Sequence, residues 1–102
     1  HLGDNASVED GYEQAKICAI NLIAQVKAAC DGDLDRVVRV VKLGGFVAST
    51  PDFTQQPAVV NGASDLMVAA FGDAGKHARF AVGSSVLPLG CLVEVDGVFQ
   101  IS

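Results

Sequence analysis

Apolar residues recur at alternating spacings of three and four along the first third of the chain. The members of this stripe are Val8, Tyr12, Ala15, Ala19, Leu22, Val26 and Ala29. A stripe of this period is typical of an amphipathic helix, and the segment Ser7-Val8-Glu9-Asp10 predicts a capping box at its start. The turn residues Asp31-Gly32-Asp33 follow, so the helix is expected to end near Cys30.

A different pattern begins at Val37, where β-branched residues follow one another with little alternation. The segment Val37–Leu43 therefore predicts a strand that carries apolar side chains on both faces. The pair Gly44-Gly45 favours a bulge or a sharp bend before Phe46-Val47-Ala48.

A strand with two apolar faces needs cover on both sides. Two helices can cover one face of a small sheet, so the other face is expected to be buried between copies of the chain. The faces predicted from simple alternation are Val38 with Val40, and Val37 with Val41. An oligomer is therefore expected rather than a stable lone monomer.

The helical period returns after Pro51, and a second helix is predicted to begin near Thr54, with Pro57 in its first turn. Gly72 is a natural C-terminal stop for this helix. Gly62 lies inside it and costs up to about 1 kcal/mol relative to alanine, so a packing reason is expected for this glycine. The predicted core face is Val59, Ala63, Leu66, Met67, Ala70 and Phe71.

The last third predicts two strands. The segment Arg79–Leu87 alternates, with Phe80 and Val82 on one face and Arg79 on the other, and Leu87–Gly90 then forms a turn signal. The segment Cys91–Ile101 returns as a closing strand, so we expect an antiparallel hairpin. The predicted order is helix, strand, helix, strand, strand, which is an α+β arrangement in one domain.

Composition and charge limit the classes of binding partner that are expected. The chain has 102 residues, seven of them basic, and a net charge of −5. No apolar run approaches the roughly 20 residues that cross a bilayer, so we expect no membrane partner and a cytoplasmic location. The basic residues are scattered rather than gathered into a stripe, so nucleic acid is not expected as the primary ligand.

The cysteines and histidines give no metal signature. Cys18, Cys30 and Cys91 lack metal-type spacing, and we interpret them as reduced, small core residues. His1 and His77 are the only histidines, and His1 is compatible with the remnant of a purification tag. Glycine-rich phosphate loops and nucleophile motifs are absent from the sequence, so no cofactor is expected.

Arg79 and Glu94 are the candidate chemical residues. They lie on the two strands of the predicted hairpin, among largely apolar neighbours, although not directly opposite each other. From spacing alone, a surface charge or a structural ion pair is the favoured interpretation of each residue.

The C-terminal segments carry a family resemblance. Gly75-Lys76-His77-Ala78-Arg79-Phe80-Ala81-Val82-Gly83, followed by Leu87-Pro88-Leu89-Gly90 and Val93-Glu94-Val95, resembles the closing signature of the YjgF/RidA family, also labelled L-PSP endoribonuclease-like. Asp33–Val37, Asp52-Phe53 and Phe71-Gly72 resemble its middle section, and Asn61–Leu66 resembles a longer-helix branch. The resemblance covers roughly residues 7–101.

The resemblance implies a chorismate-mutase-like α+β fold, a homotrimer and ligand clefts between subunits. It implies that Arg79 holds the carboxylate of a small 2-imino acid, and that Glu94 positions the attacking water. Ala81 replaces the family's cysteine. The chain also begins at the short loop before the first helix, so residues 1–102 are expected to form a domain that lacks the family's opening strands.

Three functions remain open at this point. The first is a cofactor-free imine or enamine deaminase that yields a 2-keto acid and ammonia, which the resemblance implies. The second is a non-catalytic small-carboxylate-binding module on the same trimeric scaffold, with Arg79 as the anchor. The third, a ribonuclease, follows the older family label and is disfavoured by the acidic charge. Whether the chain is an enzyme is left open.

Overall fold

The computed structural model describes Leu2, residues 6–84, Leu87 and residues 91–102. Two helices and three strands are joined by short 3₁₀ turns at Leu34–Arg36 and Gly72–Gly75. The main elements are α1 (Val8–Ala29), β1 (Val37–Ala48), α2 (Gln56–Phe71), β2 (Ala78–Ser84) and β3 (Val93–Ile101). The predicted element types and their order are confirmed.

The first helix begins at the predicted cap. The Asp10 amide donates to the Ser7 hydroxyl and the Ser7 amide donates to the Asp10 carboxylate, each at 3.1 Å. This reciprocal pair satisfies two amides that have no partner inside the helix. At the other end Cys30 is the C-cap, as the turn signal predicted.

The predicted C-terminal hairpin is wrong. The sheet order is β2-β1-β3, so β2 and β3 are not neighbours, and β1 separates them. β1 pairs with β2 in parallel and with β3 antiparallel. The physical reason is that α2 connects β1 to β2 as a crossover, which returns the chain in the same direction. The predicted turn at Pro88–Gly90 lies outside the described residues, as does His1.

The predicted faces of β1 are also wrong. Two irregularities, between Val37 and Arg39 and between Val40 and Lys42, interrupt its pairing with β3. Each irregularity resets the alternation of side chains. As a result Val37 and Val40 are both buried, whereas Val38 is 48% exposed. The strand instead continues through the glycine pair, where a bend was predicted.

The glycine pair of β1 is explained by close packing on both faces of the sheet. A Cβ on Gly44 would meet the Phe80 ring and the Asp96 carboxylate, and a Cβ on Gly45 would meet Val60 of α2. The strand can therefore stay regular because neither position carries a side chain.

The two helices pack on one face of the sheet, and their backbones approach each other closely. A Cβ on Gly62 would collide with the carbonyl oxygen of Tyr12 in α1, which is the packing reason expected from the sequence. Gly72 caps α2 with a φ of 60°, a conformation that glycine adopts without strain. The core between helices and sheet includes Leu2, Ala15, Ala19, Val40, Leu43, Val47, Val59, Val60, Ala63, Met67, Val93 and Val95.

Leu2 was expected to lie in a loop, yet it is fully buried. Its amide donates to the Ala48 carbonyl at 2.9 Å, and its carbonyl accepts from the Thr50 amide at 3.0 Å. The side chain of Leu2 therefore belongs to the core, and its backbone forms hydrogen bonds at the end of β1.

The opposite face of the sheet carries Lys42, Phe46 and Phe80. The rings of Phe46 and Phe80 meet edge to face at 5.4 Å, and the Lys42 ammonium lies 5.3 Å from the Phe80 centroid. Val82 and Val98 remain 43% and 55% exposed. We call this surface the open face.

Candidate functional site

Arg79 lies on the helix-covered face of the sheet. It pairs with the buried Leu43 of β1, and residues paired across strands point to the same side. Its Nη1 donates to the Ser64 hydroxyl at 3.1 Å, and its Nη2 donates to the Pro57 carbonyl at 3.2 Å. Phe80 points to the open face, so the alternation predicted for this strand is confirmed.

A shallow pocket of about 290 Å³ opens beside this guanidinium. Its described lining holds two cationic side chains, an imidazole, an amide and a hydroxyl, and no carboxylate. The lining residues are Asn61, Ser64, Val68, Lys76, His77 and Arg79. We call it the Arg79 pocket. A pocket with these donors is suited to an anion.

Ser64 and His77 form a second polar contact in the lining of the Arg79 pocket. The Ser64 Oγ lies 2.9 Å from His77 Nε2, and His77 Nδ1 contacts the Gly75 carbonyl. The turn at Gly72–Gly75 folds the chain back against α2 and so brings His77 to Ser64.

Glu94 lies at the opposite edge of the sheet. Val93 and Val95 point into the core, so Glu94 points to the open face, where it pairs with Phe46 of β1. Its side chain is exposed. The prediction that Arg79 and Glu94 occupy adjacent strands is therefore wrong, because β1 lies between their strands and they point to different faces.

Glu94 borders a different cavity, between α1 and β3, of about 290 Å³ and largely apolar. Its other lining residues are Cys18, Asn21, Leu22, Gln25, Leu87, Cys91, Val93 and Val95. We call it the α1–β3 cleft. Although it is better enclosed than the Arg79 pocket, it lacks a cationic group among the described residues, so the Arg79 pocket is the better anion site.

The thiols differ in environment. Cys30 is fully buried, Cys18 is half-buried in the α1–β3 cleft, and Cys91 is exposed, so only part of the predicted core role holds. Cys18 Sγ donates to the Val93 carbonyl at 3.6 Å. Burial is the main cause that raises the pKa of the Cys18 thiol, because desolvation disfavours the thiolate.

The sequence singles out Arg79 as a candidate, but not Ser64, which accepts from it, or His77, which contacts Ser64. Ser64 and His77 are 13 residues apart and meet only because the turn after α2 folds back. The one available signal was that His77 and Arg79 are two positions apart, which places them on the same side of an extended segment.

The described residues contain no cluster of histidine, cysteine or acidic side chains that could hold a metal ion. Within the same part of the chain, neither helix is long and apolar enough to cross a membrane.

Comparison with known proteins decides the family. The family model described as "YjgF/chorismate_mutase-like, putative endoribonuclease" matches residues 1–100. The chain belongs to the YjgF family. The resemblance inferred from the closing segments is thereby confirmed, and the mixed three-stranded sheet with two helices is consistent with the chorismate-mutase-like fold of that family.

Three relatives are similar over nearly the whole chain. Protein TCP17 of Trypanosoma cruzi is 50% identical over 102 aligned positions, and the alignment covers 99% of this chain and 63% of that protein. Atu1372 from Agrobacterium tumefaciens, a protein of unknown function with a crystal structure, is 46% identical with a TM-score of 0.98, and the match covers 99% of this chain and 64% of that one. A "putative endoribonuclease" from Shewanella oneidensis is 34% identical with a TM-score of 0.92, covering 100% and 66%. The chain thus spans less than two thirds of each relative's length.

Proposed function

We propose that this YjgF-family chain binds small 2-imino acids by their carboxylate and takes part in their hydrolysis to a 2-keto acid and ammonia. The observation that carries the proposal is the anchored Arg79 guanidinium in a pocket whose described lining is cationic and polar. Two contacts to α2 fix the plane of the guanidinium, and its remaining N–H groups have no hydrogen-bond partner among the described residues.

A fixed guanidinium is well suited to a planar carboxylate. It donates two parallel hydrogen bonds, and such charge-assisted bonds are roughly twice as strong as neutral ones. A carboxylate held in this way places the adjacent imine carbon at one position, which lowers the entropic cost of attack by water. Lys76 also lines the pocket, with its ammonium paired to the Asp73 carboxylate at 3.2 Å, so Arg79 is the main cation for a ligand.

Glu94 enters this proposal through a second copy of the chain. Within one chain it lies on the open face at the far edge of the sheet, away from the Arg79 pocket. In a homo-oligomer, which we propose to be a trimer, the open face with Val82 and Val98 would be covered, and Glu94 of one copy would border the Arg79 pocket of the next. Its carboxylate would then orient the attacking water.

The separation of Glu94 from the Arg79 pocket within one chain favours a second function. Without a neighbouring carboxylate the Arg79 pocket still has its anion donors, so the chain would bind small carboxylates without hydrolysing imines. The two functions differ in the release of keto acid, not in binding.

The test combines an activity assay with calorimetry on the natural full-length protein. A 2-imino acid generated in situ should be converted to keto acid and ammonia faster with the protein than without it. Pyruvate should bind the wild type, and Arg79→Lys should weaken that binding roughly tenfold, since the loss of one charge-assisted hydrogen bond costs about 1.5 kcal/mol.

Arg39→Lys is the matched control, because Arg39 is exposed on β1 and donates only to the Gln100 side chain among the described residues. Unchanged pyruvate affinity in Arg79→Lys would refute the carboxylate anchor. Binding without keto acid release would favour the binding module, and RNA cleavage without either would defeat both functions.

A further inference from the structure

The hydrogen bonds of the Arg79 pocket form a directed chain. Arg79 Nη1 is a donor only, so the Ser64 Oγ accepts from it at 3.1 Å. The Gly75 carbonyl is an acceptor only, so His77 Nδ1 must carry a proton to bond with it. For a neutral imidazole, these two ends fix the direction of the bond between Ser64 and His77.

The proton positions at Ser64 and His77 follow. With Nδ1 protonated, neutral His77 has a bare Nε2, and the Ser64 hydroxyl, 2.9 Å away, donates its single proton to that nitrogen. The backbone carbonyl thus holds the imidazole in one tautomer and aims its basic nitrogen at a hydroxyl that borders the pocket. A base oriented by a third group, next to a hydroxyl, is a recurring arrangement for proton transfer.

The charged groups around His77 are accounted for on both packed elements. Its own segment contributes Lys76 and Arg79, and the Lys76 ammonium is paired with the Asp73 carboxylate of the preceding turn at 3.2 Å. To the pocket lining α2 contributes only the neutral Asn61, Ser64 and Val68. Asp65 of α2 is bonded to the Tyr12 hydroxyl instead. No carboxylate among the described lining residues competes with His77 as the base of the pocket.

We propose that His77, acting through the Ser64 hydroxyl, is the proton-transfer group of the Arg79 pocket. This inference rests on the proposed function and extends it, because it places a base on the same chain as the carboxylate anchor. Glu94 reaches the pocket only from a neighbouring copy, whereas Ser64 lies within hydrogen-bonding distance of Arg79 itself.

The step balances for a protonated imine. The water oxygen bonds to the imine carbon as the C=N π pair moves to nitrogen. A water proton passes to Ser64 while the Ser64 proton passes to His77 Nε2, which gives a carbinolamine and an imidazolium. The proton then returns by the same route to the amine nitrogen. The C–N bond breaks, and the hydroxyl proton leaves with ammonia as ammonium, so that the keto acid remains.

The test compares full-length wild type with His77→Gln, Ser64→Ala and the surface control Lys27→Gln. Glutamine can keep a hydrogen bond to Ser64 but cannot take up a proton. We expect His77→Gln to bind pyruvate within about threefold of wild type, to lose roughly 100-fold or more in kcat, and to lose the acidic limb of the pH–rate profile. Ser64→Ala should lose less, since water can replace the hydroxyl, and Lys27→Gln should match wild type.

Two different failures are distinguishable. A wild type that releases no keto acid defeats the proposed function and this inference with it. If the wild type is active and the His77→Gln variant keeps both kcat and the acidic limb, this inference alone is overturned. Ser64 and His77 would then serve only to hold the turn after α2. Should His77→Gln not fold, Ser64→Ala decides together with NMR titration of the wild-type imidazoles. Pyruvate must shift the titration of the assigned His77 imidazole; no shift overturns the inference.

Discussion

Gly62→Ala is expected to destabilise the fold even though alanine is the better helix former. Propensity alone would favour alanine by about 1 kcal/mol in α2. The added Cβ, however, meets the backbone carbonyl of Tyr12, and a backbone atom cannot rotate away as a side chain could. Overpacking of this kind costs about 1–3 kcal/mol, and we place it at the upper end because α1 as a whole must shift. The net loss is then about 1–2 kcal/mol.

The assay is thermal and urea unfolding followed by far-ultraviolet circular dichroism. A loss of this size should lower Tm by roughly 5–15 °C in a domain of this length. Ala69→Gly in the same helix is the calibrating variant, because Ala69 is exposed and reports the propensity cost without a packing change. If Gly62→Ala raised Tm by the amount that Ala69→Gly lowers it, propensity would govern the site and the close approach of the helices would be refuted.

Two further outcomes concern titration and reactivity. The hydrogen bond that Tyr12 donates to Asp65, at 2.9 Å, is the first cause that raises the pKa of this phenol, so the bond contributes to stability below the ordinary tyrosine value and is lost as pH rises through the raised pKa. Because the chain has one tyrosine and no tryptophan, ultraviolet titration reports it directly: Asp65→Asn should lower the midpoint and Asp73→Asn should not, and equal midpoints would contradict the assignment. Iodoacetamide at neutral pH should modify the exposed Cys91 first, Cys18 more slowly because burial raises its pKa, and Cys30 last, as peptide mass spectrometry would show; early modification of Cys30 would mean that the core opens readily.

The helices could be predicted from the sequence because their signals are local. The Ser7 cap, the helix to Ala29 and the stop at Gly72 each depend on local residues, and the structure confirms all three. Gly62 shows the limit of such signals. The sequence indicates that a reason for this glycine must exist, but only the fold identifies the Tyr12 carbonyl as that reason.

The sheet could not be predicted in the same way because its pairing is non-local. A short gap between two apolar strands suggests a hairpin. In the structure, however, β2 and β3 both pair with β1, one at each of its two edges. The irregularities near Val38 likewise arise from pairing with β3, some 60 residues later. Ser64 and His77 were missed for a related reason, since their meeting depends on the turn at Gly72–Gly75 rather than on a sequence motif.

The central position of β1 has a consequence during protein synthesis. β1 leaves the ribosome before both of its partners, so a long apolar strand waits with two unpaired edges while α2 and β2 are made. Its register with β3 reaches from Val47↔Val93 to Val37↔Ile101, so this edge of β1 stays unpaired until β3 has emerged. Until then the nascent chain presents an aggregation-prone edge, and slow translation of α2 would lengthen that exposure. This segment should therefore depend on chaperones while it is being synthesised.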